Sequence, residues 1–402
     1  LFASFVIGAF ALGTSENVVA GILPDIARGI GVSEGSAGLL VTAYAGTVMV
    51  AGPILTMFLD GIRAKRLLIG SIAVYLAGSV LAAVSTTFAM ALVARVLTGL
   101  VHTTILVIFM TTAMRLSRPE KQASAAATIT LGLSVATVLG VPIGVFLGQH
   151  VGWQSAFALV AVLAAISLVT VVATFPEEER PVPAAGGRLL NLRGLGRPQV
   201  VFGIATTALT GMAALTVVTY VAPFLTDGAG LNASLIVWVM LAYGVGCIAG
   251  NTVGGRLANR QVVRAMAVTV TATLVVLIAL SVRPGNAVAS VVLMVLVGLA
   301  YFSTFPALNT WVAQNSADLS PNLALSLNSS AFNIGIALAG WVGSAYLNSG
   351  HSVQRLPLLA LPPAAVAAVV AWLLFAAYGR ARATEPGTAG SDAPVEAPTR
   401  SA

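Results

Sequence analysis

Long apolar runs, broken by short polar segments, dominate the chain from its first residue to about residue 378. Twelve runs are predicted to span a bilayer, near residues 2–23, 34–59, 67–85, 87–114, 123–148, 154–175, 200–226, 232–256, 264–282, 286–311, 322–348 and 357–378. Each is about long enough to cross a hydrocarbon core of roughly 30 Å as a helix. Backbone groups in lipid must satisfy one another, so spans of this kind are helices. The first run carries Glu16 and lacks a small-residue cleavage site, so it reads as a retained span rather than a signal peptide. Because the chain starts at Leu1, without methionine, a short preceding segment is expected.

The pattern repeats at an offset of 199 residues. Pro24 returns as Pro223, Ala43-Tyr44 as Ala242-Tyr243, Asp60 as Asn259, Lys65 as Arg264, Gly99 as Gly298 and Gly144 as Gly343. Two tandem six-helix units are therefore predicted: an all-α membrane protein with two pseudo-symmetric bundles, an arrangement found among transporters. The expected organisation is a first bundle over 1–175, a linker over 176–199, a second bundle over 200–378 and a disordered tail over 379–402.

Composition changes the picture only by excluding solubility. Charged residues are 8% of the chain against 58% hydrophobic, too few to cover a water-facing surface of this length. The net charge of +7 is a matter of topology rather than of nucleic acid: sixteen of the twenty basic residues fall in loops on one side or in the tail. Arg28, Arg283 and Arg355 lie on the other side, and Arg95 lies within a span. Basic loops stay cytoplasmic, so both termini are expected inside, in a cytoplasmic membrane. The lone cysteine, Cys247, excludes an intramolecular disulfide.

Glu16 is the one carboxylate well inside a predicted span, and Arg95 the one deep cation. Such charges are costly and serve a pathway or a partner. Measured from the predicted outer ends of their helices, both lie roughly 10–12 Å deep at about 1.5 Å per residue. They are the candidates for proton coupling, against the simpler readings of a fixed ion pair or of helix-packing glue. His102, seven residues beyond Arg95, shares its face and is a candidate substrate contact. Ser15 and Asn17 flank the acid. In the second half Ser326, Ser329 and Asn333 form one stripe, Tyr301, Phe305 and Asn309 another, and Tyr220 and Tyr243 add aromatic surface. Together they suit a neutral, amphipathic or aromatic solute, although many such residues only join helices. With His150 and His351 in loops, no metal cluster is expected. No GxxxxGK[ST] loop points to ATP, and no Ser/His/Asp arrangement points to an enzyme.

Gly132, Gly140, Gly144 and Gly148 fall four or eight apart on one face, with Pro142 among them. The string GLSVATVLGVPIGVFLG, followed by Gly152-Trp153, resembles the fifth-helix antiporter motif of drug/proton antiporters of the major facilitator superfamily. Other segments agree: Thr14-Ser-Glu16 with Gly21-Ile-Leu-Pro24, Arg95-Val-Leu-Thr-Gly99, Asp60-Gly-Ile-Arg63-Ala-Lys65-Arg66 and Asn328-Ser-Ser-Ala-Phe-Asn333. The chain is similar to bacterial sugar-, purine-nucleoside- and chloramphenicol-efflux proteins over nearly all of residues 1–378. It departs from their pattern at Asn17, Thr56, Gly61 and Gln154, which touches the pocket beside Glu16 and the loop-gate pairing.

The resemblance implies a twelve-helix major facilitator fold and proton-coupled export of a drug or natural product by alternating access. It requires no cofactor beyond a proton gradient. The expected partners are the bilayer, a small-molecule substrate and protons, with no nucleic acid and a monomeric state. Asp60, Arg63, Lys65, Asn259 and Arg264 would form a cytoplasmic gate. Sugar or purine-nucleoside efflux is the alternative within transport, and a non-transporting receptor or regulator the alternative outside it.

Overall fold

A computed structural model describes residues 1–58, 62–118, 122–176, 197–282, 285–315 and 321–379. Among these residues there are helices and no strands, and twelve helical segments are long and apolar enough to cross a membrane. We number the spans α1 (Phe2–Ile30), α2 (Glu34–Phe58), α3 (Ala64–Ala83) and α4 (Phe88–Arg115). The fifth, α5, runs Gln122–Val135, passes through a π-turn at Ala136–Gly140 and continues as Val141–His150. Then come α6 (Gln154–Thr174), α7 (Pro198–Val218), α8 (Ile236–Arg260) and α9 (Val262–Val282). Ser303 breaks α10 into Ala287–Phe302 and Thr304–Asn315, and α11 (Pro321–Asn348) and α12 (Leu356–Leu374) close the order.

Local chemistry sets several ends. Thr87 caps α4 by accepting from the Met90 amide, and Asn286 caps α10 by accepting from Ala289. Gly31, at φ 76°, ends α1 with its N–H on the Ala27 carbonyl, a left-handed cap that glycine adopts without a Cβ penalty.

The expected spans are thus all present, with two informative shifts. The first helix continues through Pro24 to Ile30, where the sequence reading stopped at residue 23. Proline there removes one donor without ending the helix, so Glu16 lies fourteen residues from the end of α1 rather than seven. Arg95 lies seven residues from the start of α4, where the sequence reading gave eight. The two are nevertheless neighbours, because α1 protrudes about two turns beyond that start. The seventh span ends at Val218, short of the predicted residue 226, and turns at Tyr220 into the one-turn helix Val221–Pro223 and a π-turn over Phe224–Gly228.

The repeat is visible in packing as well as in sequence. A Cβ on Gly99 of α4 would lie 2.7 Å from the Tyr44 carbonyl of α2, and one on Gly298 of α10 would lie 2.9 Å from the Tyr243 carbonyl of α8. Both crossings need glycine for the same close approach.

Apolar side chains form one core that joins the halves at a single end and two cores that stay apart at the other. The shared core brings Val18, Ile22 and Leu40 together with Tyr220, Met240 and Ile336. The end with the shared core is the outer one in the orientation the loop charges predict. Toward the inner end, Phe5, Ile72, Ile105 and Phe109 form a core within the first half. Met266, Leu308, Trp311 and Leu374 form another within the second.

Candidate functional site

The polar centre of the first half is built where α1, α2 and α4 meet. Arg95 is 2% exposed. Its Nη1 donates to the Ser15 carbonyl at 2.8 Å and to Ser15 Oγ at 3.2 Å, and its Nε donates to the Leu40 carbonyl at 3.2 Å. The guanidinium carbon sits 4.0 Å from the centroid of the Tyr44 ring, a cation–π contact that gains strength away from water. Nη2 is buried without a partner.

Tyr44 is fixed in turn: its hydroxyl is hydrogen-bonded to His102 Nδ1 at 2.5 Å, and the two rings meet edge to face. His102 is therefore buried in a helix–helix hydrogen bond, on the face of α4 that carries Arg95. Beside it, Tyr75 of α3 donates to the Ala11 carbonyl at 3.2 Å.

Glu16 is half-buried and lies within electrostatic reach of Arg95, Tyr44, Tyr75 and Tyr301. Between described residues the one ion pair within 4.0 Å is Arg28–Asp25, so Glu16 and Arg95 are near but not bridged. Asn17 donates from Nδ2 to the Gly13 carbonyl of its own helix at 3.0 Å. Desolvating a charge is costly unless its donors are used. Arg95 meets that cost with three hydrogen bonds and a ring face, and keeps the two N–H groups of Nη2 in reserve.

The glycine face of α5 lies along α1. Gly132 packs on the Val6 carbonyl and Ala9, Gly140 on Thr14, Gly144 on Val18 and Gly148 on Ile22. Thr14, Val18 and Ile22 are spaced by four, in step with the glycines, and they bracket Glu16. Pro142 is buried just after the π-turn, which re-routes backbone bonding next to the missing N–H. Gly244 of α8 rests on that turn: a Cβ there would lie 2.8 Å from both the Thr137 carbonyl and Val138 Cα.

The second half contributes no charge at this level, and its polar groups form two sets. Asn328 donates to Asn309 Oδ1 at 2.6 Å and accepts from the Thr207 hydroxyl at 2.8 Å. Tyr301 is buried among Phe302, Phe305 and Phe332 with its hydroxyl unpartnered. Asn333 donates to the Ser329 carbonyl at 2.9 Å and leaves Oδ1 buried and unpartnered, while Ser329 itself is exposed. A water-sized void of about 10 Å³ lies between Thr207, Tyr301, Phe305, Asn328 and Phe332.

Tyr220 and Tyr243 stand elsewhere than at an open cavity wall. Tyr220 is 0% exposed and donates to the Gly340 carbonyl at 2.8 Å, wedged between Gly38 of α2 and Gly343 of α11. Tyr243 is buried where α8 crosses α10. Beyond Tyr220, at the end that the loop charges predict to be the outer one and that the shared core seals, a vestibule of about 630 Å³ is lined by Asp25, Arg28, Glu34, Gln149, Thr226 and Asp227. Of the expected inner-gate residues, Arg63, Asn259 and Arg264 are exposed and Lys65 is half-buried, whereas Asp60 lies outside the described residues. Among the described residues no His, Cys, Asp or Glu grouping could hold a metal.

Sequence reasoning missed the role of Tyr44, although the repeated Ala-Tyr pair marked it. It also missed Thr207, which carries no local signal.

A profile of the family described as Major Facilitator Superfamily matches residues 5–321. The chain belongs to that superfamily. Relatives of similar length agree. The chain is 33% identical over 370 residues to an inner membrane transport protein, YdhP, of Escherichia coli strain K12, covering 91% of this chain and 94% of the relative. It is also 33% identical over 348 residues to a chloramphenicol resistance protein of Streptomyces lividans, covering 86% and 88%. In fold, it matches a crystal structure of a bacterial homologue of the human lysosomal transporter Spinster with a TM-score of 0.76, covering 94% and 97% at 14% identity. This major facilitator protein is accordingly a multi-pass membrane transporter rather than an enzyme, with its two bundles packed about the centre just described.

Proposed function

We propose that the chain exports a small, uncharged organic molecule in exchange for protons, by alternating access between its halves. The observation that carries this reading is Glu16. It is a half-buried carboxylate in the membrane interior, beside a buried arginine that has Nη2 unused and makes no salt bridge to it. Such a carboxylate can take up a proton or give it to the opposite side, with Arg95 favouring the ionised form. Asn17 on one side, and Tyr301, Asn309, Ser329 and Asn333 on the other, are proposed to face the substrate during the cycle, with Ser15 and His102 behind them holding Arg95 and Tyr44. The aromatic group Tyr301, Phe305 and Phe332 suits a planar ring, and Asn333 Oδ1 suits a hydrogen-bond donor. Shared core at one end and separate cores at the other are what rocking of two rigid halves requires. The likeness to a chloramphenicol resistance protein supports a drug-like cargo.

The test is chloramphenicol transport by the purified chain in proteoliposomes under an imposed pH gradient. The expected result is uphill movement by wild type, which Glu16→Gln abolishes while retaining downhill exchange. If Glu16→Gln accumulates chloramphenicol against its gradient at the wild-type rate, the coupling assignment is wrong.

A further inference from the structure

Arg95 joins three helices that do different work. From α4 it reaches Ser15 on α1, next to Glu16, and the Leu40 carbonyl on α2, while its planar group lies on Tyr44 of the same α2. His102 ties the Tyr44 hydroxyl back to α4, so the shelf under the guanidinium is fixed to the helix that carries it.

The gripped carbonyl stands between two contacts of the outer seal. Two residues before Leu40, Gly38 receives Tyr220 of the second half. Two residues after it, Thr42 donates to the Ala337 carbonyl of α11 at 3.1 Å, and Gly340 of α11 packs on both Thr42 and the Gly38 carbonyl. At about 1.5 Å per residue each contact is about 3 Å along the helix from the point Arg95 holds. The second half keeps the helix crossing but has no such grip. At the repeat offset Met294 stands for Arg95, Leu215 for Glu16 and Ala214 for Ser15, while Tyr243 and Gly298 preserve the packing.

We propose that Tyr44 is a positioning residue that seats Arg95 as a crosspiece, through which the charge on Glu16 is passed to the Leu40 carbonyl and so to the outer seal. This rests on the reading of Glu16 as the proton site. With Glu16 neutral, the guanidinium stays on Ser15 and Leu40 and the seal is held. With Glu16 ionised, the carboxylate competes for the guanidinium, first through the unused Nη2, and unloads Leu40. The charged and titratable groups facing Glu16 are Arg95 of α4, Tyr44 of α2, Tyr75 of α3 and Tyr301 of α10, with His102 behind Tyr44. Arg95 is the sole cation among them.

The experiment reads the seal directly, without substrate or gradient. The full chain carrying Cys247→Ala and a single cysteine at Ala337 is reconstituted in proteoliposomes and labelled from the outer side with an impermeant maleimide. Rates are normalised to a cysteine at the exposed His351, which removes the reagent's own pH dependence. Between about pH 5 and about pH 8 the wild-type rate should rise about threefold or more, as ionisation of a carboxyl held in the membrane interior shifts the population toward an open seal. Glu16→Gln should be flat. Tyr44→Leu should be flat as well, and so should Arg95→Met, which copies the residue the second half already holds at that place. Tyr44→Phe keeps the ring and should keep most of the rise. A full wild-type rise in either Tyr44→Leu or Arg95→Met overturns the crosspiece. A flat wild type also overturns it, yet leaves proton coupling standing if Glu16→Gln still loses uphill export. A rise that survives Glu16→Gln removes Glu16 as the proton site and both ideas fall.

Discussion

Tyr220, from the second half, closes on Gly38, from the first, in a slot where a single added carbon on Gly38 would overlap the phenol. The ring is 0% exposed and also fills the space left by Gly343. A bulky tyrosine set between two glycines holds the halves together only while the outer end is closed. Gly38→Val should therefore disfavour the closed seal, and Tyr220→Ala should loosen it. Outside labelling of a cysteine at Ala337 should rise about tenfold in either variant, a shift of about 1.4 kcal/mol in the population of the open form. Labelling at the wild-type rate in both would mean the slot is packing without a gating role.

The α5–α1 seam makes a sharper distinction between glycines. A Cβ on Gly132 would meet the Val6 carbonyl at 2.8 Å and Ala9 Cβ at 3.0 Å, so the helices would have to separate. Gly70 of α3 has nothing within 4 Å of such a carbon. Gly132→Ala should cost about 1–3 kcal/mol by overpacking, whereas Gly70→Ala should be neutral or should stabilise by up to about 1 kcal/mol. Thermal unfolding in detergent, followed by loss of monodisperse protein, compares the two. Equal midpoints would show that the seam tolerates separation.

Asn328 links α11 to both α7 and α10 through Thr207 and Asn309. Asn328→Leu takes the donor from Asn309 Oδ1 and one of two acceptors from the Thr207 hydroxyl, which keeps the Gly203 carbonyl, and should destabilise by about 1–3 kcal/mol. Thr207→Val removes one partner and should cost less. The same unfolding assay applies, and a variant Asn328→Leu as stable as wild type would make this network incidental.

Orientation follows from loop charge and is open to direct test. Cysteines at Ile62 and Asn259, both exposed, should react with an impermeant reagent only from the cytoplasmic side. Those at Gly230 and His351 should react only from outside. Reversal at either pair would invert the assignment of the outer seal.

Much of the architecture was legible because it is written locally. Twelve apolar runs specify twelve helices wherever water is absent, and an offset of 199 in Tyr44 and Tyr243, or Gly99 and Gly298, specifies two copies of one unit. The glycines of α5 announced a close helix contact by their spacing alone, and Glu16 and Arg95 stood out because charge is rare in spans. What the chain does not write locally is how each helix is rotated and against which neighbour. Helix ends misplaced by Pro24 made the common depth of Glu16 and Arg95 look measured when it was fortuitous. Tertiary structure alone decided that Arg95 bonds Ser15 and Leu40 rather than bridging Glu16, and that its plane rests on Tyr44. It also decided that Tyr220 fills a slot between the halves instead of lining an open wall. The reason is physical: in an apolar solvent the sequence determines that a segment is helical and buried, while partners for its few polar groups are chosen by packing between helices far apart in the chain.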